Sequence, residues 1–291
     1  MNLVHVFHLI RGVAMIRVVT DSTAQLTEEE IARHHIIVVP LQITINNEAL
    51  LDGVDISRAD FSKELQESDV FPHTSQPSIG QFLSTYDELS KKGDTVISIH
   101  LSEVLSGTVN EARSAALQTA ADVTVIDSGV TDRSLGYLVL RAAEMAEAGK
   151  SKEELLAKLA IQKKQTHLFC FVNSLDYLVK GGRASRAIGF FSSLIKLKLE
   201  LIMENDQLMV LHKCRGQVSF QKLISDMLQS VVAEAKISQV GLSYVDSDED
   251  VQRIAHFLHE HRPDIHVVTR LTSPIIMSHV GPRGFALMYD V

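Results

Sequence analysis

The chain has 291 residues, of which 45% are hydrophobic and 22% charged, with a net charge of -8. That is the balance of an ordinary globular protein, and it argues against disorder and against a broad nucleic-acid-binding face, which needs an excess of cation to displace counterions. Its two cysteines, Cys170 and Cys214, are far apart and form no C-x-x-C pair, so neither a disulfide framework nor a zinc ribbon is expected, and a reducing cytoplasm is the simplest setting.

The opening stretch MNLVHVFHLIRGVA is apolar but lacks a basic leader and is too short to span a bilayer. We read residues 1–14 as an upstream extension and expect no stable membrane insertion. From Met15 onward, short aliphatic runs alternate with amphipathic segments. IRVV is followed by the helical TEEEIARHH, IIVVPLQITI by SRADFSKELQES, and SIGQFLSTYDELSKK by DTVISIHLS. Next come the helical SGTVNEARSAALQTA, the strand-like VTVIDS and a helix from Asp132 to Gly149. Val/Ile runs without alternation, set between helices, predict strands buried on both faces and hence a mainly parallel sheet. Residues 15–165 therefore read as a three-layer α/β/α domain, closed by the helix SKEELLAKLAIQKKQ.

From THLFCFV the pattern changes. LELIMENDQLMVLHK predicts a hairpin turning at Asn205-Asp206, followed by a helix over 217–235. Strand QVGLSYV, helix DEDVQRIAHFLHEH and strand IHVVTRL then predict an α+β domain with a mixed sheet over 166–291. The fold class expected is thus α/β in two domains that pack closely.

Two hydroxyl clusters stand out. Thr74-Ser75, in HTSQPSIG, and Ser106-Gly107-Thr108, in LSEVLSGTVNEA, both read as strand-to-helix junctions, where ligands bind in open α/β sheets. Helix N-termini offer free N–H groups and partial positive charge, so each cluster is either a helix cap or one edge of an anion site. His279, in SHVGPRG, is either a turn residue or a donor to the same anion. The run after Gly181-Gly182 contains Ile188, Phe190, Phe191, Leu194, Ile195 and Leu197, and reads as a core helix or as the wall of an apolar tunnel. His256, His259 and His261 are explained by the dipole at a helix C-terminus as well as by a metal. Nucleotide-loop, zinc-protease and nucleophile-elbow motifs are absent. Ser219-x-x-Lys222 lacks the companion motifs of a Ser-Lys enzyme.

VVTDSTAQL, HTSQPSIGQF, LSEVLSGTVNEA, VIDS, YLVKGGR, KCRG and SHVGP occur together in an order and spacing that resemble the DegV family, from about Met15 to near the C-terminus. The resemblance implies a two-domain DegV-like fold with a long-chain fatty acid held between the domains. It implies Thr74 and Ser106 as carboxylate ligands, with Ser75, the Gly107 backbone and His279 nearby, and no metal or catalytic group of its own. It also implies a partner, an ATP-dependent fatty acid kinase that converts the bound acid to acyl phosphate for phospholipid synthesis, and Arg183 as an exposed residue docking that kinase. Alternative functions are a serine hydrolase or acyltransferase using Ser106 with His279, and a lipid sensor without a kinase. Arg283 stands where the family pattern has glycine, and it is expected to point outward to solvent.

Overall fold

The computed structural model describes residues 15–68, 70–91, 93–188 and 197–291; the extension 1–14 and most of the apolar run after Ile188 lie outside them. Four strands form a wholly parallel sheet in the spatial order Ile37–Val39, Ile16–Asp21, Thr95–His100, Asp122–Asp127. The side chains alternate across it, as the two-residue period of a strand requires. Val19 and Val96 face Phe82 and Tyr86 of helix Ile79–Ser90, while Val18, Ile97 and Ile99 face helix Asp132–Glu147. Both faces are covered, which is why these strands are continuously aliphatic.

A seven-stranded mixed sheet follows the order His266–Leu271, Gln239–Tyr244, Phe285–Asp290, Thr166–Val172, Lys198–Glu204, Gln207–Cys214, Ala187–Ile188. Its outer face carries Phe171 and Phe285, stacked with ring centroids 4.7 Å apart and covered by Phe220 of helix Gln217–Ala233. Its inner face presents Leu168, Cys170, Leu201 and Met203, with Leu201 opposite Cys170 and Met203 opposite Leu168. The hairpin turns at Asn205 and Asp206, as expected, with both residues left-handed at φ 50° and 58°, the geometry that matches strand twist in a two-residue turn. The two sheets share helix Asp132–Glu147 between them: Leu135, Leu138 and Val139 are buried in the same core as Ile97 of one sheet and Leu168 of the other.

The structure departs from the sequence reading in four places. IIVVPLQITI is not one strand; Pro40 breaks it into Ile37–Val39 of the parallel sheet and Gln42–Ile45 of a separate three-stranded antiparallel sheet, since proline cannot donate to a ladder. Thr74 and Ser75 lie within a strand, His73–Ser75, which is one edge of that small sheet; Glu48–Leu51 is the other edge, with Gln42–Ile45 between them. Residues Pro274–Val280 are a helix, capped by Ser273 and started by Pro274. At the start of the apolar run, Ala187–Ile188 is a strand paired to Leu208 and Met209, rather than helix.

Candidate functional site

The cavity between the C-terminal ends of the parallel strands and the inner face of the mixed sheet encloses about 920 Å³ between protein atoms, mouth included. Its wall is aliphatic, with Leu101, Leu168, Leu201, Met203, Leu208 and Ile275 contributed by both halves. Thr74, Ser75, Ser106, Arg183 and His279 all line it. Of the apolar run expected to form a tunnel, Phe190, Phe191, Leu194 and Ile195 lie outside the described residues, whereas Leu197 packs against the core.

Two chain segments separated by some thirty positions are brought together by a close backbone approach. A Cβ on Gly107 would fall 2.8 Å from the Gln76 side-chain oxygen, so the glycine lets the Gln76 amide lie close over the start of helix Thr108–Ala116. The Gln76 amide then donates to Glu111 across that contact at 2.9 Å. Gly107 is the N-cap of its helix and makes no side-chain cap; it stands behind the cavity lining, against Gln76. Ser106 is buried, with its Oγ 2.9 Å from Thr108 Oγ1. The Thr74-Ser75 cluster does not cap the next helix; Ser78 does, through a capping box with Gln81. The hydroxyl of Thr74 is therefore free for another partner, and it lies 2.9 Å from His279 Nε2.

His279 sits in the last turn of helix Pro274–Val280, not in a turn beside Gly-Pro. Burial, with Arg183 and Arg186 nearby, pushes its imidazole down to about 3, so the ring is neutral. Its Nδ1 has no hydrogen-bond partner among the described residues. A neutral ring carries one N–H, and either tautomer leaves the Thr74–His279 pair one unused donor. If Nε2–H donates to Thr74, the threonine O–H is free; if Thr74 donates to Nε2, Nδ1–H is free. The ring reaches this position only because residue 181 has no side chain: a Cβ there would lie 2.2 Å from His279 Nδ1. Gly181 and Gln76 are thus site-forming residues that sequence reasoning missed. The KGG motif was the available signal for the first; nothing short of the packing reveals the second.

Arg183 is half-buried rather than exposed. Its Nε donates to Leu105 O at 3.1 Å and its guanidinium to Gly181 O at 2.7 Å, which ties the Ser106 loop to the glycine turn. Arg186 is the exposed arginine of this loop, donating to Val104 O at 2.8 Å. Both supply positive potential at the mouth of a chain that is acidic as a whole. Arg283 points outward as expected, its guanidinium 3.5 Å from Glu249 at the surface, and its φ of 59° explains why glycine suits that position.

The chemistry of a Ser-His hydrolase is not assembled here. His279 faces Thr74 rather than Ser106, and a ring held neutral to about pH 3 is a weak base. A Ser-His-Asp chain does exist elsewhere: Ser98 Oγ lies 2.7 Å from His100 Nε2, and His100 Nδ1 lies 3.1 Å from Asp21. All three side chains are sealed under the sheet, with the serine also bonded to Tyr86, so no substrate reaches them. Among the described residues no group of His, Cys, Asp and Glu has the spacing of a metal site; His256 lies 3.4 Å from Glu260, and His261 bonds the backbone of its own helix.

Comparison with known proteins agrees with this architecture. A family model described as "Uncharacterised protein, DegV family" matches residues 15–291. A DegV domain-containing protein of Streptococcus pneumoniae is 35% identical over 274 residues, covering 94% of this chain and 97% of that protein. Among solved structures, DegV of Bacillus subtilis, a fatty acid binding protein, superposes with a TM-score of 0.89 at 29% identity, over 96% of this chain and 99% of that one. A fatty-acid-binding DegV family protein of Thermus thermophilus superposes with a TM-score of 0.84 at 27% identity, over 95% of this chain and all of that one. The chain belongs to the DegV family.

Proposed function

We propose that this chain is a carrier that holds one long-chain fatty acid in the cavity, with the carboxylate at Thr74, Ser106 and His279 and the tail along the aliphatic wall. The observation that carries the reading is the convergence of hydroxyl groups and a neutral imidazole at one edge of a mainly aliphatic cavity, where the Arg183 guanidinium is engaged by backbone carbonyls. Ser75 completes the edge, and the Gly107 backbone lies behind it. Burying about 14 methylenes at about 0.8 kcal/mol each gives a gross driving force near 11 kcal/mol, of which association consumes a large part. Each charged hydrogen bond adds about 1.5 to 3 kcal/mol. The tail thus supplies affinity and the cradle supplies orientation, as the fatty-acid-binding relatives lead one to expect.

The carrier has no nucleophile of its own in this reading and is not an enzyme. A carboxylate oxygen left accessible at the mouth attacks the γ-phosphorus of ATP on a partner kinase, ADP leaves, and an acyl phosphate remains for phospholipid synthesis in the cytoplasm. Neutral donors suit this role, because a fixed guanidinium would hold the acyl phosphate too tightly to release it. Arg183, and with it the more exposed Arg186, is assigned to docking that kinase. Among the described residues no helix is long and apolar enough to cross a membrane.

Native mass spectrometry of the purified full chain, followed by lipid extraction, tests the reading. One long-chain fatty acid per chain is expected; protein that is consistently empty and takes up neither palmitate nor oleate refutes it.

A further inference from the structure

The cavity has a second polar region, apart from the carboxylate cradle. Thr131, Asp132, Ser243 and Thr272 all line it. Ser243 and Thr272 lie at the ends of adjacent strands of the mixed sheet, and both hydroxyls donate to one oxygen of Asp132, at 2.9 and 2.7 Å. The other oxygen accepts the Arg133 N–H, at 2.8 Å, and among the described residues no second donor. Thr131 is 8% exposed and its hydroxyl has no partner among the described residues; although it is the N-cap residue of helix Asp132–Glu147, it makes no side-chain cap.

This region is separated from the cradle by the length of a helix. Thr272 precedes helix Pro274–Val280 and His279 is in its last turn, so five residues of helix, about 7 to 8 Å, part the two polar groups. A fatty acid whose carboxylate sits at His279 meets Asp132, which is bonded to Thr272, several carbons further along its chain. Plain methylenes there would leave a buried hydroxyl and a carboxyl oxygen facing hydrocarbon, an arrangement that folded proteins avoid.

Asp132 is also costly to keep. Its backbone is left-handed at φ 57°, a conformation natural to glycine, and burial pushes its carboxyl up from the usual range. A role confined to locking the helix accounts for the bonds to Ser243 and Thr272. It does not account for the unpartnered Thr131 hydroxyl beside them.

We propose that the cavity selects long-chain acids that carry a hydroxyl part-way along the chain, with Thr131 and Asp132 as its hydrogen-bond partners. The inference rests on the fatty-acid reading above and specifies its ligand. A site built to bond a hydroxyl discriminates against the analogue that lacks it, because its own polar groups are then left unpaired.

The test is calorimetric titration of the delipidated full chain with stearic acid, mid-chain hydroxystearic acids and the α-hydroxy isomer, whose hydroxyl sits beside the carboxylate. At least one mid-chain isomer is expected to bind about tenfold more tightly than stearic acid, about 1.4 kcal/mol, and the α-hydroxy isomer is not. The readout in variants is the ratio of the two affinities. Asp132→Gly, which suits the left-handed backbone, brings that ratio close to one, and Thr131→Val, which keeps the side-chain shape, lowers it severalfold; if Asp132→Gly does not fold, Thr131→Val decides. Mid-chain isomers binding no better than stearic acid, or an undiminished ratio in the folded variants, overturns the inference while leaving the carrier reading intact. Failure of every acid to bind removes both.

Discussion

Thr74→Val removes one hydroxyl and little else, because valine has the same branched shape and suits the strand His73–Ser75 equally well. In the empty protein the loss leaves His279 Nε2 without its 2.9 Å partner, and Nδ1 already has none. A buried ring with both nitrogens unsatisfied costs about 1 to 3 kcal/mol, which a thermal melt reads as a drop of several degrees. In the loaded protein the carboxylate loses a charge-assisted bond worth about 1.5 to 3 kcal/mol, so the dissociation constant for palmitate or oleate rises about 10- to 150-fold. Because Thr74 and His279 act as one donor unit, their effects are not additive. In a cycle with His279→Ala, calorimetry should give a coupling of about 0.5 to 3 kcal/mol. Unchanged affinity in Thr74→Val, or strictly additive losses in the cycle, refutes the paired cradle and leaves Thr74 as a strand residue only.

Acid stability follows from the same imidazole. Its folded value of about 3 lies below the ordinary 6.5, so the unfolded chain takes up the proton first and stability falls by up to about 1.4 kcal/mol per pH unit as pH drops through that window; denaturant melts of His279→Gln should show a shallower slope there. Asp52 has the opposite sign: burial pushes its carboxyl up to about 7, and one oxygen has no partner. Stability is therefore lost as pH rises from about 4 past 7, and Asp52→Asn should stabilise the protein at pH 8 by on the order of 1 to 3 kcal/mol, with little effect at pH 5. Arg283→Gly should leave fatty-acid affinity unchanged and raise stability by about 0.5 to 1 kcal/mol, through relief of the left-handed backbone; a tenfold loss of affinity would show that the guanidinium serves the cradle.

Elements carrying a strong periodic signal were legible in the sequence. Val96 to Ile99 announce a doubly buried strand, and Asn205-Asp206 between two aliphatic runs announces a hairpin. The small antiparallel sheet was not legible, since its strands have three or four residues and His73–Ser75 contains no aliphatic residue. Helix Pro274–Val280 was hidden for the opposite reason: Pro274, Ile275, Met277 and Ser278 are all buried, so it has no polar stripe to betray its period, and only the Ser273-Pro274 start signal marks it. At the site, the hydroxyl clusters were visible as residues but not as roles. Ser78, not Thr74, became the cap, which releases Thr74 for His279. The glycine at 181 acts through an atom that is absent, and only a packed neighbour shows what such an absence permits.

Helix Asp132–Glu147 belongs to neither half alone. Its Arg133 grips Glu30 beside the parallel sheet through two bonds of 2.7 Å, while Ser134 donates to His167 O of the mixed sheet at 3.0 Å. Gly241 lets the mixed sheet close over it, as a Cβ there would fall 2.5 Å from the Arg133 side chain. Cutting the chain after residue 165 would therefore strip the helix of one of its two coats and leave Leu135, Leu138 and Val139 facing water along one flank. Heating or denaturant should accordingly melt the chain in a single step, and any ligand of the cavity must enter between halves that breathe about their shared helix rather than swing apart.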